Sequence, residues 1–221
     1  MTRVTPDRTA RAASFRYGVV FLVTFALVVF AIAAPDGAWA RAIAVGLEGL
    51  ALTLVVATSR ARAEIRRARA LAVGGSGAVA VALIGADVLP DDLVFALGGL
   101  LAAAIPATLA GGVIRLIRER GVTLQAVLGA LTIYLYVGLI FAWVIGFVSH
   151  IDSTPYFAEG DVRNGDRVYF SFTVLTTTGF GDYTAATPVG HALTVVEMLI
   201  GQLYLVTVIG VLIGGLVGRR R

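Results

Sequence analysis

One short stretch of the sequence combines residue types suited to binding a bare cation, and it reads Thr177-Thr178-Gly179-Phe180-Gly181-Asp182. Gly179 and Gly181 alternate with Phe180 and allow φ angles that other residues avoid, so successive backbone carbonyls can point the same way. Stacked rings of such carbonyls can replace the hydration shell of a potassium ion. The hydroxyl of Thr177 would add one more oxygen at the inner end. Alone, such a string is also typical of a glycine turn, so its position in the chain decides between the two interpretations.

Composition places this string in a membrane protein. The chain is 58% hydrophobic and 14% charged, whereas soluble domains are about 25% charged. Six apolar runs have the ~17–25 residues needed to span a bilayer: 17–34, 42–58, 71–89, 93–114, 122–149 and 189–217. The sequence therefore predicts an all-α membrane protein with six transmembrane helices.

A shorter apolar stretch, 168–175, lies between the fifth and sixth spans. It is too short to cross the bilayer, so it must be re-entrant or interfacial. We expect a pore helix over 168–177 with its carboxyl end aimed at a central cavity, where the partial negative charge of the helix end favours a cation. Irregular backbone at that depth is tolerated only when it is buried in protein or lines a watery path.

The distribution of arginine predicts the orientation. All 18 basic residues are arginine, and 15 of them flank the spans on one side. The positive-inside rule makes that side cytoplasmic. We therefore expect a multi-pass protein of the plasma membrane with both termini in the cytoplasm and the arginine clusters in contact with membrane lipid. The opposite loops collect most of the acidic residues. The loop that precedes the re-entrant stretch is therefore predicted to lie outside.

An alternative for the N-terminus remains open. The arginine-rich start, the first apolar run and Ala38-Trp39-Ala40 together resemble a signal peptide with a small-residue cleavage site. Cleavage there would leave five spans and would not alter the region around the glycine string.

In this setting, 169–182 resembles the potassium-channel signature Thr-Thr-x-Gly-Tyr/Phe-Gly-Asp, and the likeness extends over 122–221. It implies a filter formed by Thr177, Thr178, Gly179, Phe180 and Gly181. It also implies a homotetramer, because such a filter needs four copies around one axis and this chain has one. Potassium would be the permeant ion, with no cofactor and no other metal.

Several positions depart from the family pattern. Thr178 stands where valine or isoleucine is commonest, and Tyr169 and Phe170 stand where many members carry tryptophan. We expect Tyr169 to reach Asp182 through its hydroxyl, and Phe170 and Phe180 to pack on each other. Filter support is assigned to Asp182, Tyr169, Phe170 and Thr173. These departures raise the hypothesis of a softer filter, prone to inactivation or to weaker selectivity.

The last span supplies the remaining candidate residues. Gly201 matches the family's hinge glycine, although close helix packing explains a membrane glycine equally well. The resemblance and the helical spacing put the cavity and the gate on one face: Gln202, Leu205, Ile209, Ile213 and Val217. Glu197 is the one carboxylate within this helix. It is expected to bond to the back of the pore helix at Thr173 or Thr176, and a proton-linked role is possible.

The preceding region, 1–121, resembles a voltage sensor in helix count, and 122–221 is the predicted pore domain. Voltage sensing needs charge within the membrane field. The fourth span, 93–114, has no charged residue, and Pro106 is expected to interrupt it. We therefore expect a degenerate sensor or scaffold without steep voltage gating.

Other functions were compared with the potassium-channel interpretation. A weakly selective cation channel is the first alternative, and a non-conducting scaffold is the second. The sequence shows no nucleophile–base pair, metal triad, phosphate loop, nucleic-acid-binding stretch or small-molecule ligand domain, so an enzyme is not expected.

Overall fold

The computed structural model describes residues 8–58, 74–75, 77–78, 81–84, 86, 88–151, 154–160 and 162–218. The third predicted span, 71–89, is described only in part. The arginines at 3, 60–69 and 219–221 lie outside the described residues.

The described part of the chain is helical. The main α-helices are α1 (Arg8–Ala33), α2 (Ala38–Thr58), α3 (Asp91–Arg120), α4 (Leu124–Ile151), α5 (Asn164–Leu175), α6 (Pro188–Leu203) and α7 (Gly210–Gly218). A π-helical segment, Tyr204–Ile209, joins α6 to α7 without a break, so the three form one long inner helix.

Four helical stretches of the described chain are long and apolar enough to cross a membrane, and a shorter apolar helix covers Tyr17–Ala33. The four are Ala38–Val56, Leu93–Arg120, Leu124–Ile151 and Pro188–Gly218. The expectation that Pro106 interrupts its span is wrong, because α3 continues through it. A proline inside a membrane helix removes one backbone hydrogen bond, and packing against neighbouring helices makes this tolerable.

The helix α4 lies at the centre of the molecule and packs against α1, α3 and α5. Its Tyr136 and Leu139 belong to an apolar core that also contains Leu27 of α1, Leu52 of α2 and Leu109 of α3. Residues on both sides of position 121 therefore share one core.

The short helix α5 begins earlier than its apolar residues suggest. It starts at Asn164, where Arg163 and Asp166 cap the helix reciprocally. The backbone N–H of Arg163 donates to Asp166 Oδ2 at 3.1 Å, and Arg163 Nη2 lies 2.7 Å from Asp166 Oδ1. A carboxylate in the first turn also interacts favourably with the positive end of the helix dipole, which stabilises the start of the helix. The helix ends at Leu175, two residues before the predicted end.

The inner helix also begins at a defined cap. The Thr187 hydroxyl accepts a hydrogen bond from the Gly190 N–H at 3.0 Å, and Pro188 occupies the first helical position, where its missing N–H costs nothing. At Gly201 the inner helix contacts the end of α5. An added Cβ there would collide with the Leu175 carbonyl oxygen and with a Leu175 side-chain carbon.

We predict that Gly201→Ala destabilises the protein by about 1–3 kcal/mol, because the new methyl group overpacks against rigid backbone of α5. The matched control is Gly214→Ala, since nothing lies within 4 Å of a Cβ at that position. Thermal unfolding of the purified protein in detergent measures the difference. Equal melting temperatures for the two variants would show that the inner helix does not depend on this close contact.

Candidate functional site

Backbone hydrogen bonds hold the loop 177–182 against α5, the candidate pore helix. The Thr173 carbonyl accepts hydrogen bonds from the N–H groups of Thr178 at 2.8 Å and Gly179 at 3.2 Å. In a trans peptide the carbonyl of one residue points opposite to the N–H of the next. The carbonyls of Thr177 and Thr178 therefore point away from α5, on a loop whose residues are all exposed.

The backbone of the loop alternates in handedness. Positive φ angles occur at Thr177 (57°), Gly179 (52°) and Gly181 (80°), and among the described non-glycine residues Thr177 alone has one. The two glycines adopt the conformations that their sequence pattern predicted. Thr177 was not expected in this region, which β-branched residues rarely adopt. Its N–H donates to the Val174 carbonyl at 2.8 Å and so helps to hold it there.

Three threonine hydroxyls surround the start of the loop. Thr176 Oγ1 and Thr178 Oγ1 lie 2.9 Å apart, and Thr177 Oγ1 donates to the Thr176 carbonyl at 2.7 Å. The side chain of Thr178 therefore makes a polar contact that valine or isoleucine would lack. Thr173 supports the loop through its carbonyl oxygen, since its own hydroxyl donates to the Phe170 carbonyl.

The aromatic residues beside the loop are arranged differently from the expectation. Phe180 stacks on Tyr169, with ring centroids 6.5 Å apart and an interplanar angle of 5°, and it does not pack on Phe170. Phe170 faces the other way and contacts Phe157 and Tyr156 edge to face. Successive helix residues point about 100° apart, so neighbours on α5 cannot face the same partner. The Tyr169 hydroxyl lies near the Asp182 carboxylate, on the side that its position suggested.

A clamp formed by the 156–159 segment holds the chain just after the loop. Phe157 pairs with Ala185, and the Ala158 N–H donates to the Thr184 carbonyl at 2.9 Å. The Glu159 carboxylate accepts hydrogen bonds from the Thr184 N–H and from the Thr184 hydroxyl, each at 3.0 Å. These bonds, led by the one from the Thr184 backbone, hold the pKa of Glu159 below its usual value. Sequence reasoning missed this clamp because the partners are 25 residues apart.

Glu197 of the inner helix meets α5, but at Ser171 and not at Thr173 or Thr176. Ser171 Oγ lies 2.5 Å from Glu197 Oε1 and 2.7 Å from the Gly138 carbonyl of α4. A hydroxyl has one proton, and the carbonyl has none to give. Both contacts are satisfied when Ser171 donates to Gly138 and a protonated Glu197 donates to Ser171. Glu197 is 1% exposed, and its other oxygen has no hydrogen-bond partner among the described residues, which also favours a neutral acid.

The π-helical segment changes the face that the inner helix presents. Gln202, Ile213 and Val217 are exposed, whereas Leu205 and Ile209 pack against α4 beside Ala130 and Leu212. The helical spacing that placed Ile209 with Gln202 assumes 3.6 residues per turn. A π-helical turn contains more residues and rotates those that follow it. Ile209 is therefore placed away from the face on which it was expected.

We predict that the wild-type protein is more stable than Glu159→Gln at pH 7 and that the two converge below about pH 4. The charged form makes the clamp, so its contribution is complete above the ordinary pKa of glutamate and is lost as pH falls through the lowered pKa. Melting temperatures across this pH range measure the effect. A difference that persists undiminished at pH 3 would mean that the Glu159 charge is not responsible.

Comparison with known proteins matches this part of the chain to one family. Residues 129–216 fit a family model described as ion channel, which covers less than half of the chain and includes α5, the loop 177–182 and most of the inner helix. The curated proteins and the solved structures contain no match. The match supports an ion channel. It therefore favours a membrane protein that transports ions over an enzyme.

Proposed function

We propose that this chain is one subunit of a potassium-selective channel that conducts potassium passively through the loop 177–182. The observation that carries the proposal is the double hydrogen bond to the Thr173 carbonyl, which turns the carbonyls of Thr177 and Thr178 away from α5. The ion channel match over 129–216 supports it independently.

In this proposal α5 is the re-entrant pore helix. Its 12 residues extend about 18 Å, too short to cross a bilayer. Carbonyls of Thr177 to Gly181 would replace the water around potassium, and the hydroxyl of Thr177 would add oxygens at the inner end. The carboxyl end of α5 would place its partial negative charge below them.

A homotetramer is part of the proposal because one chain leaves the site incomplete. In the most apolar stretch of the inner helix 17% of residues are buried, against 44% in α4. Phe180 at the loop is 70% exposed, and Val195, Leu199 and Val206 along the inner helix are at least half exposed. Four copies around an axis beside the loop would cover these surfaces and complete rings of oxygen.

The inner ends of four such helices would form the gate. Gln202 would face the cavity, while the exposed Ile213 and Val217 would narrow its mouth, where a hydrophobic constriction can gate by dewetting. Gly201 remains the proposed hinge, and the π-helical segment begins three residues after it, at Tyr204. The arginine distribution supports a multi-pass plasma-membrane protein with both termini cytoplasmic.

The region 1–121 is proposed as a scaffold and not as a steep voltage sensor. The described helix α3 carries Arg115, Arg118 and Arg120 only in its final turns. Charges at that end cross little of the membrane field, so voltage does little work on them.

A weakly selective cation channel is the second candidate, and the Thr176–Thr178 hydroxyl contact favours it. The two hydroxyl groups can exchange hydrogen-bond partners, so the loop can adopt more than one arrangement and discriminate less between ions. A valine or isoleucine at position 178 would instead pack in one arrangement.

Purified protein in planar bilayers, with potassium on one side and sodium on the other, tests the proposed function. We expect a reversal potential that moves by about 59 mV for each tenfold change in potassium. Phe180→Tyr is expected to give steadier currents, because the added hydroxyl provides a further hydrogen bond that can stiffen the loop. The second candidate would be established instead if the wild-type reversal potential lies near zero and Thr178→Val moves it toward the potassium equilibrium potential.

A proton-linked role for Glu197 is a separate prediction. Raising the pH should alter wild-type currents as the buried acid ionises, whereas Glu197→Gln, which retains a donor to Ser171, should be insensitive. The matched control is Glu119→Gln, an exposed position at the end of α3 that should keep the wild-type pH profile. A wild-type pH profile in Glu197→Gln would contradict the assignment.

Ser171→Ala should reduce the free energy of unfolding by about 1–3 kcal/mol, because it leaves the Glu197 carboxyl group without its hydrogen-bond partner.

A further inference from the structure

A buried carboxyl group outside the proposed pore has an unused oxygen. Glu48 of α2 is 1% exposed, and its Oε1 accepts a hydrogen bond from Trp143 Nε1 at 2.9 Å. Its Oε2 has no hydrogen-bond partner among the described residues. A buried carboxyl oxygen without a partner is costly, so the structure provides a hydrogen-bonding position that another molecule can satisfy.

That carboxyl group lines a cavity of about 70 Å³. One water molecule requires roughly 10–15 Å³ of such space, so the cavity has room for a molecule larger than a single water. Apolar side chains from five helices form its walls, including Leu27 of α1, Ala44 of α2, Phe95 of α3, Leu139 of α4 and Val168 of α5. These walls offer a ligand little beyond apolar contact, and Glu48 is the acidic group among the buried residues that line them.

The open end of the cavity is polar and carries positive charge. Arg41 and Arg167 lie there together with Asp36 and Asn164. The Arg167 guanidinium lies 5.4 Å from the centre of the Phe95 ring, and its Nη1 donates to Asn164 Oδ1 at 2.8 Å. A ligand would therefore pass two arginines before it meets the apolar walls.

These charges narrow the chemical class of the ligand. An anion would be buried against the Glu48 carboxyl group, and a cation would pass two arginines on its way in. A headgroup with several polar atoms would leave them unpaired against the walls. A single hydroxyl group can either donate or accept, so it pairs with Glu48 Oε2 whether or not that carboxyl group carries a proton.

We propose that the cavity beside Glu48 is a binding site for a short neutral alcohol, with the hydroxyl group on Glu48 Oε2 and the alkyl chain against Leu27, Ala44 and Leu139. This site is separate from the loop 177–182, and its existence does not depend on ion conduction.

Photolabelling of the purified full-length chain with a diazirine-bearing alkanol of four to six carbons tests the site. Adducts mapped by mass spectrometry should lie on the cavity-facing parts of α2 and α4. Excess butan-1-ol should suppress them, and 1-fluorobutane, which has no hydroxyl group, should not. Equal suppression by both compounds would overturn the proposal, because partition into apolar surface would then explain the labelling.

Two variants sharpen the test. Ala44→Leu fills the cavity one helical turn from Glu48 and should reduce labelling of α2 and α4 at least about tenfold. Ala103→Leu makes the same change at an exposed position of α3 and should label like the wild type. Undiminished labelling in Ala44→Leu would also overturn the proposal. The competition between butan-1-ol and 1-fluorobutane needs no variant, so it decides the matter even where Ala44→Leu fails to fold.

Discussion

Two backbone N–H groups of an irregular loop share the carbonyl oxygen of Thr173, and the arrangement of the loop follows from that contact. Beside membrane helices an unpaired N–H is costly, so irregular backbone persists only where protein satisfies it. Thr173 satisfies the N–H groups of Thr178 and Gly179, and peptide geometry then turns the preceding carbonyls outward. Without this contact, the peptide planes of Thr177 and Thr178 would not be fixed with their carbonyl oxygens on one side of the loop.

Because the loop depends on α5, it depends equally on whatever positions α5. Ser171 ties the middle of that helix to Gly138 of α4 and to Glu197 of the inner helix. Tyr134 donates to the Leu175 carbonyl at 3.2 Å, and Gly201 packs against the same residue. The helices α4 and α5 and the inner helix thus meet at Leu175, within one turn of the loop. Movement of the inner helix would therefore act directly on the residues proposed to contact potassium.

The scaffold and the proposed pore are connected through α4. The Trp143 indole donates to Glu48 of α2, and Tyr136 packs in the core shared with α1 and α3. Burial is lowest on the side of the loop and the inner helix: the residues of the loop are all exposed, and 17% of the most apolar stretch of the inner helix is buried, against 44% in α4. This low burial is the physical reason for proposing further copies on that side, whereas the proposed small-molecule site rests on the unpaired buried oxygen of Glu48.

The sequence by itself determined the features that depend on local chemistry. Apolar runs located most of the long helices, and the glycines at 179 and 181 allowed positive φ angles, which the backbone adopts at both positions. Tertiary structure decided which side chains meet. Glu197 reaches Ser171, 26 residues away, and not Thr173, while Phe180 stacks on Tyr169 and leaves Phe170 to Phe157. The π-helical segment rotated Ile209 against α4, and backbone hydrogen bonds hold Thr177 in a conformation that its side chain disfavours. Local propensity has no information about partners from distant parts of the chain, and packing selects among them only when the helices come together.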